Sequence, residues 1–406
     1  MKISEICRTG LSLFILIVAF AFHAVAASGD LDPSFGSGGK VVLSSSGSTS
    51  YLGVREFPDG KLLVFGGTTR ILTQRLNLDG SLDRSFGGGW GGLTTYVAAN
   101  PYVVGRPLDV EVLSDGSVIV VGSYRVVPDD GTTRAAMWRF DANGVLDPNF
   151  GADGRFTLAS TPGSAVQVEE RLGKLFVMFT RSDGTYLSRR SSNGAPDFTF
   201  GSLGLVQLSS SGSTSPSDMK VASLDGRIFV IRLGSLRRYS NDGSADASFG
   251  IFGTAQKPVY SDTCDYTENA ESYSFTKLNF APDGKLVIGG YAAKYSGQPG
   301  LTYHVAGVSR HTANGLIDSI FNGGVIVCGG QFFSPLYSSG GVQSDKEIIF
   351  ARGGYGPETV RRLNLNGTVD LGYEPVGDAL LQDHLLQKID EKAVLLFQYE
   401  IHRRLR

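Results

Sequence analysis

A six-residue phrase that recurs along the chain constrains the fold more than any other feature. It first reads Leu31-Asp32-Pro33-Ser34-Phe35-Gly36, and close copies occupy residues 82–87 and 146–151. Weaker copies place an aromatic residue at Phe200, Phe249, Phe321 and, most degenerate, Tyr373. Successive aromatic positions are separated by 51, 64, 50, 49, 72 and 52 residues. A period of about 50 residues predicts a repeat architecture in which each repeat is one supersecondary unit.

The pattern within each repeat predicts short strands joined by tight hairpins. In the first repeat, apolar runs at 51–57, 61–65 and 71–77 are punctuated by Pro58-Asp59-Gly60 and Asp79-Gly80. Asp-Gly and Asn-Gly between apolar runs are strong hairpin signals. Four strands joined in this way make one blade of a β-propeller. Seven first strands are predicted, near Leu52, Val110, Val166, Val221, Leu278, Val342 and Leu386. We therefore expect an all-β, seven-bladed propeller of four-stranded antiparallel blades, forming one domain over residues 27–406.

The two ends of the chain complement one another. The seventh repeat stops at Arg406, before its own copy of the phrase and the strand that should follow it. Those missing parts stand at the start of the chain, as residues 31–36 and 40–43. We expect both ends to share one blade, because this closure removes an open seam with unpaired strand edges.

The first 26 residues have the pattern of a secretory signal peptide. Lys2 and Arg8 precede an apolar run from Leu11 to Phe22, and Ala24-Val25-Ala26 supplies the small residues of a cleavage site. The run is shorter than the roughly 20 residues of a spanning helix. The sequence therefore predicts a secreted or periplasmic protein without a membrane span after processing.

The composition of the processed chain restricts its partners. Residues 27–406 hold 35 basic and 38 acidic residues, a net charge of −3, which gives no electrostatic basis for binding nucleic acid. Cys264 and Cys328 remain, and an exporting compartment allows a disulfide between them. The alternative is two thiols too far apart to be bridged. We expect a monomer.

An arginine stands eight positions before the aspartate of each phrase. This spacing predicts a structural ion pair at each hairpin corner, in preference to an anion-binding ring. The predicted pairs are Arg75/Asp83, Arg139/Asp147, Arg189/Asp197, Arg238/Asp246, Arg310/Asp318, Arg362/Asp370 and, across the two ends, Arg404/Asp32.

Length variation indicates where a partner would bind. The tight turns should lie on one uniform face, whereas the insertions that lengthen the 64- and 72-residue steps should lie on the opposite face. These insertions carry aromatic residues suited to contact with a glycan or a protein: Trp90, Tyr96, Tyr102, Tyr260, Tyr266, Tyr295 and Tyr303. The alternative is that they pack the insertions onto the blades. Acidic residues around Cys264 match no metal-binding loop, so no metal is predicted.

Catalytic motifs are scarce. No histidine pair has zinc-ligand spacing with a glutamate, and neither a nucleophile elbow nor a phosphate-binding loop is present. The sequence favours a non-catalytic binding or scaffolding module with no cofactor. The alternative is a hydrolase or lyase with its site at the mouth of the central channel.

The pattern Asp-Gly-Lys-Leu-Leu-Val-x-Gly-Gly followed by Arg-Leu-Asn-x-Asp-Gly-Ser-Leu-Asp-x-Ser-Phe-Gly resembles the delta-60 repeat family of bacterial β-propeller-like proteins. The resemblance covers nearly all of residues 30–406 and is strongest in the first, second and fifth repeats. It implies a propeller and an exported bacterial protein. It implies no settled activity and no catalytic residues.

Overall fold

The fold is known from a computed structural model. It describes residues 32–43, 51–68, 70–87, 93–96, 103–126, 132–152, 154–210, 218–258, 273–295, 302–324, 327–332, 338–342, 348–352, 360–371, 385–389, 392–397 and 400–404. These residues form β-strands, turns and one short 3-10 helix at Asn322–Gly324, with no α-helix among them. Every pairing between the strands is antiparallel. The chain is therefore all-β, as its strand and hairpin pattern predicts.

The strands are short and succeed one another at the spacing of the repeat. In chain order they are β1 (Lys40–Val42), β2 (Tyr51–Glu56), β3 (Leu62–Gly66), β4 (Ile71–Leu76), β5 (Leu93–Tyr96), β6 (Val103–Val112), β7 (Val118–Val126), β8 (Arg134–Phe140), β9 (Arg155–Arg171), β10 (Lys174–Arg181), β11 (Gly184–Ser191), β12 (Leu205–Ser209), β13 (Asp218–Val221), β14 (Ile228–Arg232), β15 (Ser235–Tyr239), β16 (Tyr273–Phe280), β17 (Leu286–Tyr295), β18 (Thr302–His311), β19 (Val327–Phe332), β20 (Ser338–Val342), β21 (Ile348–Arg352), β22 (Val360–Leu363), β23 (Leu385–Ile389), β24 (Lys392–Phe397) and β25 (Glu400–Arg404).

The sheets follow the repeats. Repeat 1 is β2-β3-β4-β5, repeat 4 is β13-β14-β15, repeat 5 is β16-β17-β18-β19 and repeat 6 is β20-β21-β22. Repeats 2 and 3 form one sheet, β6 to β12, because β9 is the fourth strand of repeat 2 and continues as the first strand of repeat 3. Repeat 7 is β23-β24-β25 with β1 added at its edge.

The two ends of the chain pair with each other. Lys40 lies opposite His402 and Val42 lies opposite Glu400, which makes β1 the outer strand of repeat 7. The first strands of neighbouring repeats also contact one another in order: β2 with β6, β6 with β9, β9 with β13, β13 with β16, β16 with β20, β20 with β23, and β23 with β2. This series of contacts returns to its starting strand.

Repeat 4 departs from the expected four strands. Its fourth-strand position is reduced to one bridge between Arg237 and Thr254, followed by a hydrogen bond from Ala255 N to Leu236 O of 2.9 Å. Gln256 N then donates to Gly315 O in repeat 5 (2.8 Å) and not to its own sheet. Pairing ends there because the backbone donor is used by the neighbouring repeat. In repeat 6, the residues after Leu371 that would supply a fourth strand lie outside the described residues.

The hydrophobic core lies between neighbouring repeats. One cluster joins Phe65 and Phe86 of repeat 1 to Val120 and Trp138 of repeat 2, and others join repeats 2 with 3, 3 with 4, 4 with 5 and 5 with 6. The aromatic residue of the phrase is buried in every described copy: Phe35, Phe86, Phe150, Phe200, Phe249 and Phe321. The period in the sequence is thus the period of a packing anchor between sheets.

Candidate functional site

The corner between the third and fourth strands forms a clip onto the next repeat. In repeat 4, Arg238 Nε donates to Asp246 Oδ2 (2.8 Å), and its Cζ lies 4.8 Å from the centre of the Phe249 ring. Arg238 Nη1 donates to Ala313 O of repeat 5 (2.7 Å), and Gly250 N donates to Asn314 O (2.7 Å). The ion pair and the cation–π contact thus hold Arg238 within repeat 4, and two hydrogen bonds to backbone carbonyls join this corner to repeat 5.

Five of the six predicted corner pairs with both side chains described are formed. They are Arg75/Asp83, Arg189/Asp197, Arg238/Asp246, Arg310/Asp318 and Arg362/Asp370. The seventh predicted pair, Arg404/Asp32, is outside what the structure describes, since only the backbone of Arg404 is described.

The predicted pair between Arg139 and Asp147 is wrong. Arg139 Nη2 donates instead to Asp115 Oδ2 (3.1 Å) and to Ser117 Oγ (3.3 Å). Asp147 keeps the backbone geometry of a corner, since its N donates to Arg139 O (2.9 Å) and its Oδ1 accepts from Asn149 N (3.0 Å). The turn at Asp147 thus forms without the ion pair that the spacing predicts.

The corner without the ion pair is also the one with a ring beside it. The residue that packs against the corner is Val41 in repeat 7 and Val206 in repeat 3, but Phe156 in repeat 2. The Phe156 ring contacts Phe150 edge-on at 5.0 Å. Phe150 thus has a ring from its own repeat as a neighbour, whereas Phe249 has the guanidinium of Arg238. The buried Arg190 of repeat 3 lies beside this ring, with its Cζ 5.9 Å from the centre of the Phe156 ring. Its Nη1 donates to Gly194 O (2.8 Å).

The corner of repeat 6 follows a more degenerate phrase than the other corners. Arg362 Nε donates to Asp370 Oδ2 (2.7 Å), so the predicted pair exists. Asp370 is only half-buried, however, whereas Asp83 and Asp318 are buried. Two residues after Asp370 the sequence has Gly372, which has no hydroxyl to donate as Ser85 Oγ does to Asp83 Oδ1 (2.6 Å). Asp246 is half-buried too, and Asp318 is buried although Ile320 stands two residues after it, so neither feature sets the corner of repeat 6 apart.

The first strands carry a second set of joints, which we call the inner-edge ladder. It consists of Asp109, Gln167 and Asp218, with Glu111 and Glu169 two residues further on in repeats 2 and 3. Asp109 Oδ2 accepts a hydrogen bond from Val168 N (3.1 Å), Gln167 Oε1 from Met219 N (2.8 Å) and Asp218 Oδ2 from Leu278 N (2.8 Å). Glu111 Oε1 accepts from Glu170 N (3.1 Å), and Glu169 Oε2 from Val221 N (2.7 Å). Each acceptor thus satisfies a donor on the unpaired edge of the next first strand.

Basic side chains balance the carboxylates of the ladder. Arg55 pairs with Asp109 and its Nε donates to Val110 O (2.9 Å), Lys220 pairs with Glu169, and Lys277 Nζ lies 3.4 Å from Asp218 Oδ1. These pairs join repeat 1 with 2, repeat 3 with 4 and repeat 4 with 5. Sequence reasoning missed all of them, because the same position is aspartate, glutamine, aspartate and lysine in repeats 2 to 5.

Glu111 is the ladder residue with an unusual protonation equilibrium. Burial, together with the negative charge of Glu169, raises the pKa of Glu111 to about 7. Arg171 Nη1 lies 3.5 Å from Glu111 Oε1 and acts in the opposite direction. Glu111 is therefore a carboxylic acid for much of the pH range in which other glutamates are charged.

An apolar cleft of about 410 Å³ opens between repeats 4 and 5, at the edge that carries the tight turns. The turn between β13 and β14 forms one wall with Ala222, Leu224 and Arg227, and the turn between β16 and β17 forms the other with Ala281 and Pro282. The rings of Phe229 and Phe280 form its floor, 5.3 Å apart. This volume falls within the range of ligand pockets, roughly 300–1,000 Å³.

The tight-turn face is not uniform, in contrast to the expectation from the sequence. Repeats 3 and 4 expose large apolar side chains there: Leu224 is 96% exposed, Phe252 98% and Leu203 75%. Leu203 and Phe252 also have positive φ, +55° and +52°, at a place where Gly38 stands in repeat 7. Such a conformation costs a residue with a side chain about 1–2 kcal/mol. These residues are exposed and strained, so the stability of the fold does not explain them.

The structure does not describe the side chains of the seven predicted aromatic binding residues. Trp90, Tyr102, Tyr260 and Tyr266 are outside the described residues altogether. Tyr96 is in β5, opposite Ile71, while Tyr295 and Tyr303 extend the hairpin of β17 and β18. These three stand in paired strands and not in loops, because the insertion in repeat 5 continues the ladder as far as Tyr295 opposite Thr302. Cys328 is in β19, opposite Gly307, and Cys264 lies outside the described residues, so the disulfide stays a prediction.

The described part of the chain shows neither a group of side chains for a metal ion nor a helix that could span a membrane. Its histidine, cysteine, aspartate and glutamate side chains form no group of three or more that is placed to hold a metal ion. Among the same residues, no helix is long and apolar enough to cross a membrane.

Comparison with known proteins supports a β-propeller. The model of a β-propeller family described as a domain of unknown function, DUF5122, matches residues 58–86, 113–150 and 281–302. The matched segments belong to the first, second and fifth repeats. The comparison with curated proteins returned no match.

Three solved structures are similar to most of the chain. A structure of YCF48 bound to a D1 peptide is 12% identical with a TM-score of 0.47, over 94% of this chain and 98% of that one. The extracellular domain of a hybrid two-component system from B. thetaiotaomicron is 10% identical with a TM-score of 0.46, over 93% of this chain and 39% of that one. The AfRom2 CNH domain is 9% identical with a TM-score of 0.45, over 90% and 99%.

Proposed function

We propose that the protein is an exported, non-catalytic binding and scaffolding module, built as a seven-bladed propeller of delta-60 repeats. The series of first-strand contacts that returns from β23 to β2 supports seven blades, and the pairing of β1 with β25 supports closure within one blade. The family match in the repeats where the pattern is strongest supports the family assignment. Export rests on the signal peptide predicted at residues 1–26.

The use of the inner-edge ladder carries the non-catalytic part of the proposal. Carboxylates that converge on the inner strands would be the first candidates for acid–base chemistry, but Asp109, Glu169 and Asp218 accept backbone hydrogen bonds and pair with cations of the same ladder. These three carboxylates therefore serve to join neighbouring repeats. His311, which is buried at the end of β18, has its pKa lowered to about 4 by burial and bonds Gln256 O (2.8 Å). It is a neutral core residue and not a base.

The partner in this proposal is a protein or a surface glycan, bound by a monomer in the periplasm or outside the cell. The binding face is the one with the long insertions and their tyrosine and tryptophan residues, whose large flat side chains suit such contacts. Nucleic acid is not a partner, because the net charge is close to zero.

A glycan-array and envelope pull-down screen tests this function. The processed protein is compared with a variant shortened at residues 259–272 and with a second shortened at 296–301, the tip between β17 and β18. Binding that is lost with either segment supports the proposal. Binding that survives both deletions excludes these two segments and leaves the insertion with Trp90 and Tyr102 as the part of the face to shorten next, and a screen without any partner contradicts the binding function.

Glu111 favours a second candidate, a hydrolase or lyase with its site at the inner strands. A carboxyl group with a pKa of about 7 is suited to act as a general acid at neutral pH. Substrate profiling of the wild type and of Glu111→Gln decides between the candidates. Turnover that disappears in the variant supports an enzyme, and the absence of turnover in both proteins supports the binding module.

A further inference from the structure

The walls of the cleft between repeats 4 and 5 carry small side chains where another repeat carries a ring. In repeat 1, Phe57 stands in the turn between the first two strands, with its ring 6.0 Å from that of Phe86 and 5.2 Å from Arg75 Cζ. The same turn position in repeat 4 is Ala222. There the edge-on contact with the phrase aromatic comes from the next strand, where Phe229 lies 5.7 Å from Phe249. At this turn position repeat 4 therefore presents only the methyl group of Ala222 to the cleft.

The charges around the cleft are already paired. Arg227 Nε lies 2.9 Å from Asp225 Oδ2 on one wall, and Lys285 Nζ lies 2.9 Å from Asp318 Oδ2 on the other side. The mouth consequently presents no net charge, and it complements a neutral, apolar group better than an anion or a cation. A phosphate-bearing ligand would find no unpaired cation at these two walls.

We propose that this cleft binds an aromatic side chain of a partner polypeptide, which takes the place that Phe57 occupies in repeat 1. The inference rests on the proposed binding function and deepens it, since it assigns a second face and the chemistry of its partner. The floor of Phe229 and Phe280 offers edge and face contacts to an inserted ring, and Ala222 and Ala281 provide the room.

The surroundings of the cleft favour a polypeptide over a small free ligand. Antiparallel connection places the first-to-second and third-to-fourth turns at one edge of the sheet, so Leu224 and Phe252 of repeat 4 lie on the same face of the molecule. Both are almost fully exposed. Leu224 also lines the cleft, so a chain that inserts one ring would have a further apolar contact at its edge, which is the arrangement of an anchor residue with a surrounding rim.

Titration of the full processed protein with blocked tripeptides tests the inference. The probe is acetyl-Gly-Phe-Gly-amide, its control is acetyl-Gly-Ala-Gly-amide, and binding is followed by saturation-transfer NMR. We expect the phenylalanine peptide to bind at least tenfold more tightly than the alanine peptide. In Ala222→Phe, which restores the ring of repeat 1, the affinity should fall at least tenfold. Val145→Phe, which adds a ring at an exposed turn of repeat 2, should bind as the wild type does.

A second variant covers the case in which Ala222→Phe does not fold. Leu224→Ser changes a fully exposed side chain at the rim and should weaken the phenylalanine peptide several-fold. Equal affinity for the two peptides, or unchanged affinity in both variants, overturns the proposal. Binding of neutral phosphatidylcholine vesicles without binding of the peptide overturns it in favour of a lipid surface.

The same titration separates this inference from the proposed long-insertion face. The protein shortened at 259–272 should keep its affinity for the phenylalanine peptide. If that variant keeps its affinity and the partner screen finds nothing, the cleft proposal is supported and the long-insertion face is contradicted. If the wild type does not bind the peptide but the screen finds a partner, the cleft proposal is contradicted and the long-insertion face is supported.

Discussion

Two corner joints of this molecule follow nearly the same phrase but are built differently. At the joint between repeats 4 and 5, Arg238 is buried against Phe249, pairs with Asp246 and reaches Ala313 O of the next repeat. At the joint between repeats 2 and 3, Arg139 turns back to Asp115 in its own repeat and leaves Asp147 of the phrase. The phrase therefore does not guarantee the contact.

The two corners differ in the size of one neighbouring side chain, and we expect this size to decide how the phrase is used. Phe156 stands at the corner of repeat 2 where Val206 stands at the equivalent place in repeat 3. The joint between repeats 2 and 3 has another source of strength, because β9 runs without interruption from one repeat into the other. A continuous strand thus joins repeats 2 and 3, while Arg139, whose side chain is 22% exposed, pairs within repeat 2.

The largest expected effect is a difference in stability between variants of Arg238 and Arg139. Arg238→Ala should lower the free energy of unfolding by about 3–4 kcal/mol, because it leaves the buried side of Asp246 without its cation and Ala313 O without its donor. Arg139→Ala should cost less than about 1 kcal/mol, because its partner Asp115 is mostly exposed. Urea denaturation of both variants measures the two losses, and equal losses would contradict the distinction between the joints.

The inner edge of the joint between repeats 2 and 3 should respond to pH. The pKa of Glu111 is raised to about 7 from 4.5, so the folded state binds more protons than the unfolded state between these values. Stability is therefore lost as the pH rises from about 4.5 to 7, by about 2 kcal/mol after allowance for partial exposure. Glu111→Gln should be more stable than the wild type at pH 8 and equally stable at pH 4 in thermal melts. A variant that is less stable at pH 8 would show that the charged form is favoured by the fold.

The corner of repeat 2 should become more like that of repeat 4 when Phe156 is made smaller. Phe156→Val should cost about 1–2 kcal/mol for the lost ring, and it should make room for Arg139 over Phe150 and beside Asp147. Arg139→Ala should then cost about 1 kcal/mol more in the Phe156→Val background than in the wild type. Additive effects in this double-mutant cycle would mean that Phe156 does not hold Arg139 away.

The smallest effect is a gain in the corner of repeat 4. Phe252→Gly should raise the stability by about 0.5–1 kcal/mol, because glycine adopts the observed positive φ without strain and the exposed ring contributes little packing. The paired measurement is the affinity for any apolar partner, which should fall. The substitution Gly38→Phe at the equivalent place in repeat 7 is the matched reverse and should destabilise by a similar amount.

Much of the fold follows from short-range patterns. The phrase aromatic is buried in each described copy because a repeat needs the same anchor at the same place. Asp-Gly and Asn-Gly turns have glycines at positive φ, as at Gly60 and Gly243, because no other residue takes this conformation as cheaply. The pairing of β1 with β25 could be read from the incomplete last repeat.

The contacts between repeats were beyond such patterns. Asp109, Glu169 and Lys220 stand at positions whose chemistry changes from one repeat to the next, so nothing in the period marks them. Their partners are 51 to 60 residues away in sequence and become neighbours only when the first strands come together. The cleft at Ala222 could not be predicted either, because an alanine in a turn does not indicate a cleft until the position of Phe229 is known.

The corner ion pairs stand between these two cases. The spacing of eight residues correctly predicted that Asp370 pairs with Arg362, although Asp370 is less buried than Asp83 or Asp318. The same spacing was wrong for Asp147, because Arg139 pairs with Asp115 of the turn between β6 and β7 and not with the phrase.

The sequence by itself determined the repeat, the strands, the hairpin corners and the meeting of the two ends, since these depend on local turn chemistry and on one residue repeated in phase. Only the tertiary structure decided which corners are clipped, which edges are capped by carboxylates and where an apolar cleft opens. Those features depend on the volume and charge of side chains from two different repeats, and their packing is settled only where the two surfaces meet.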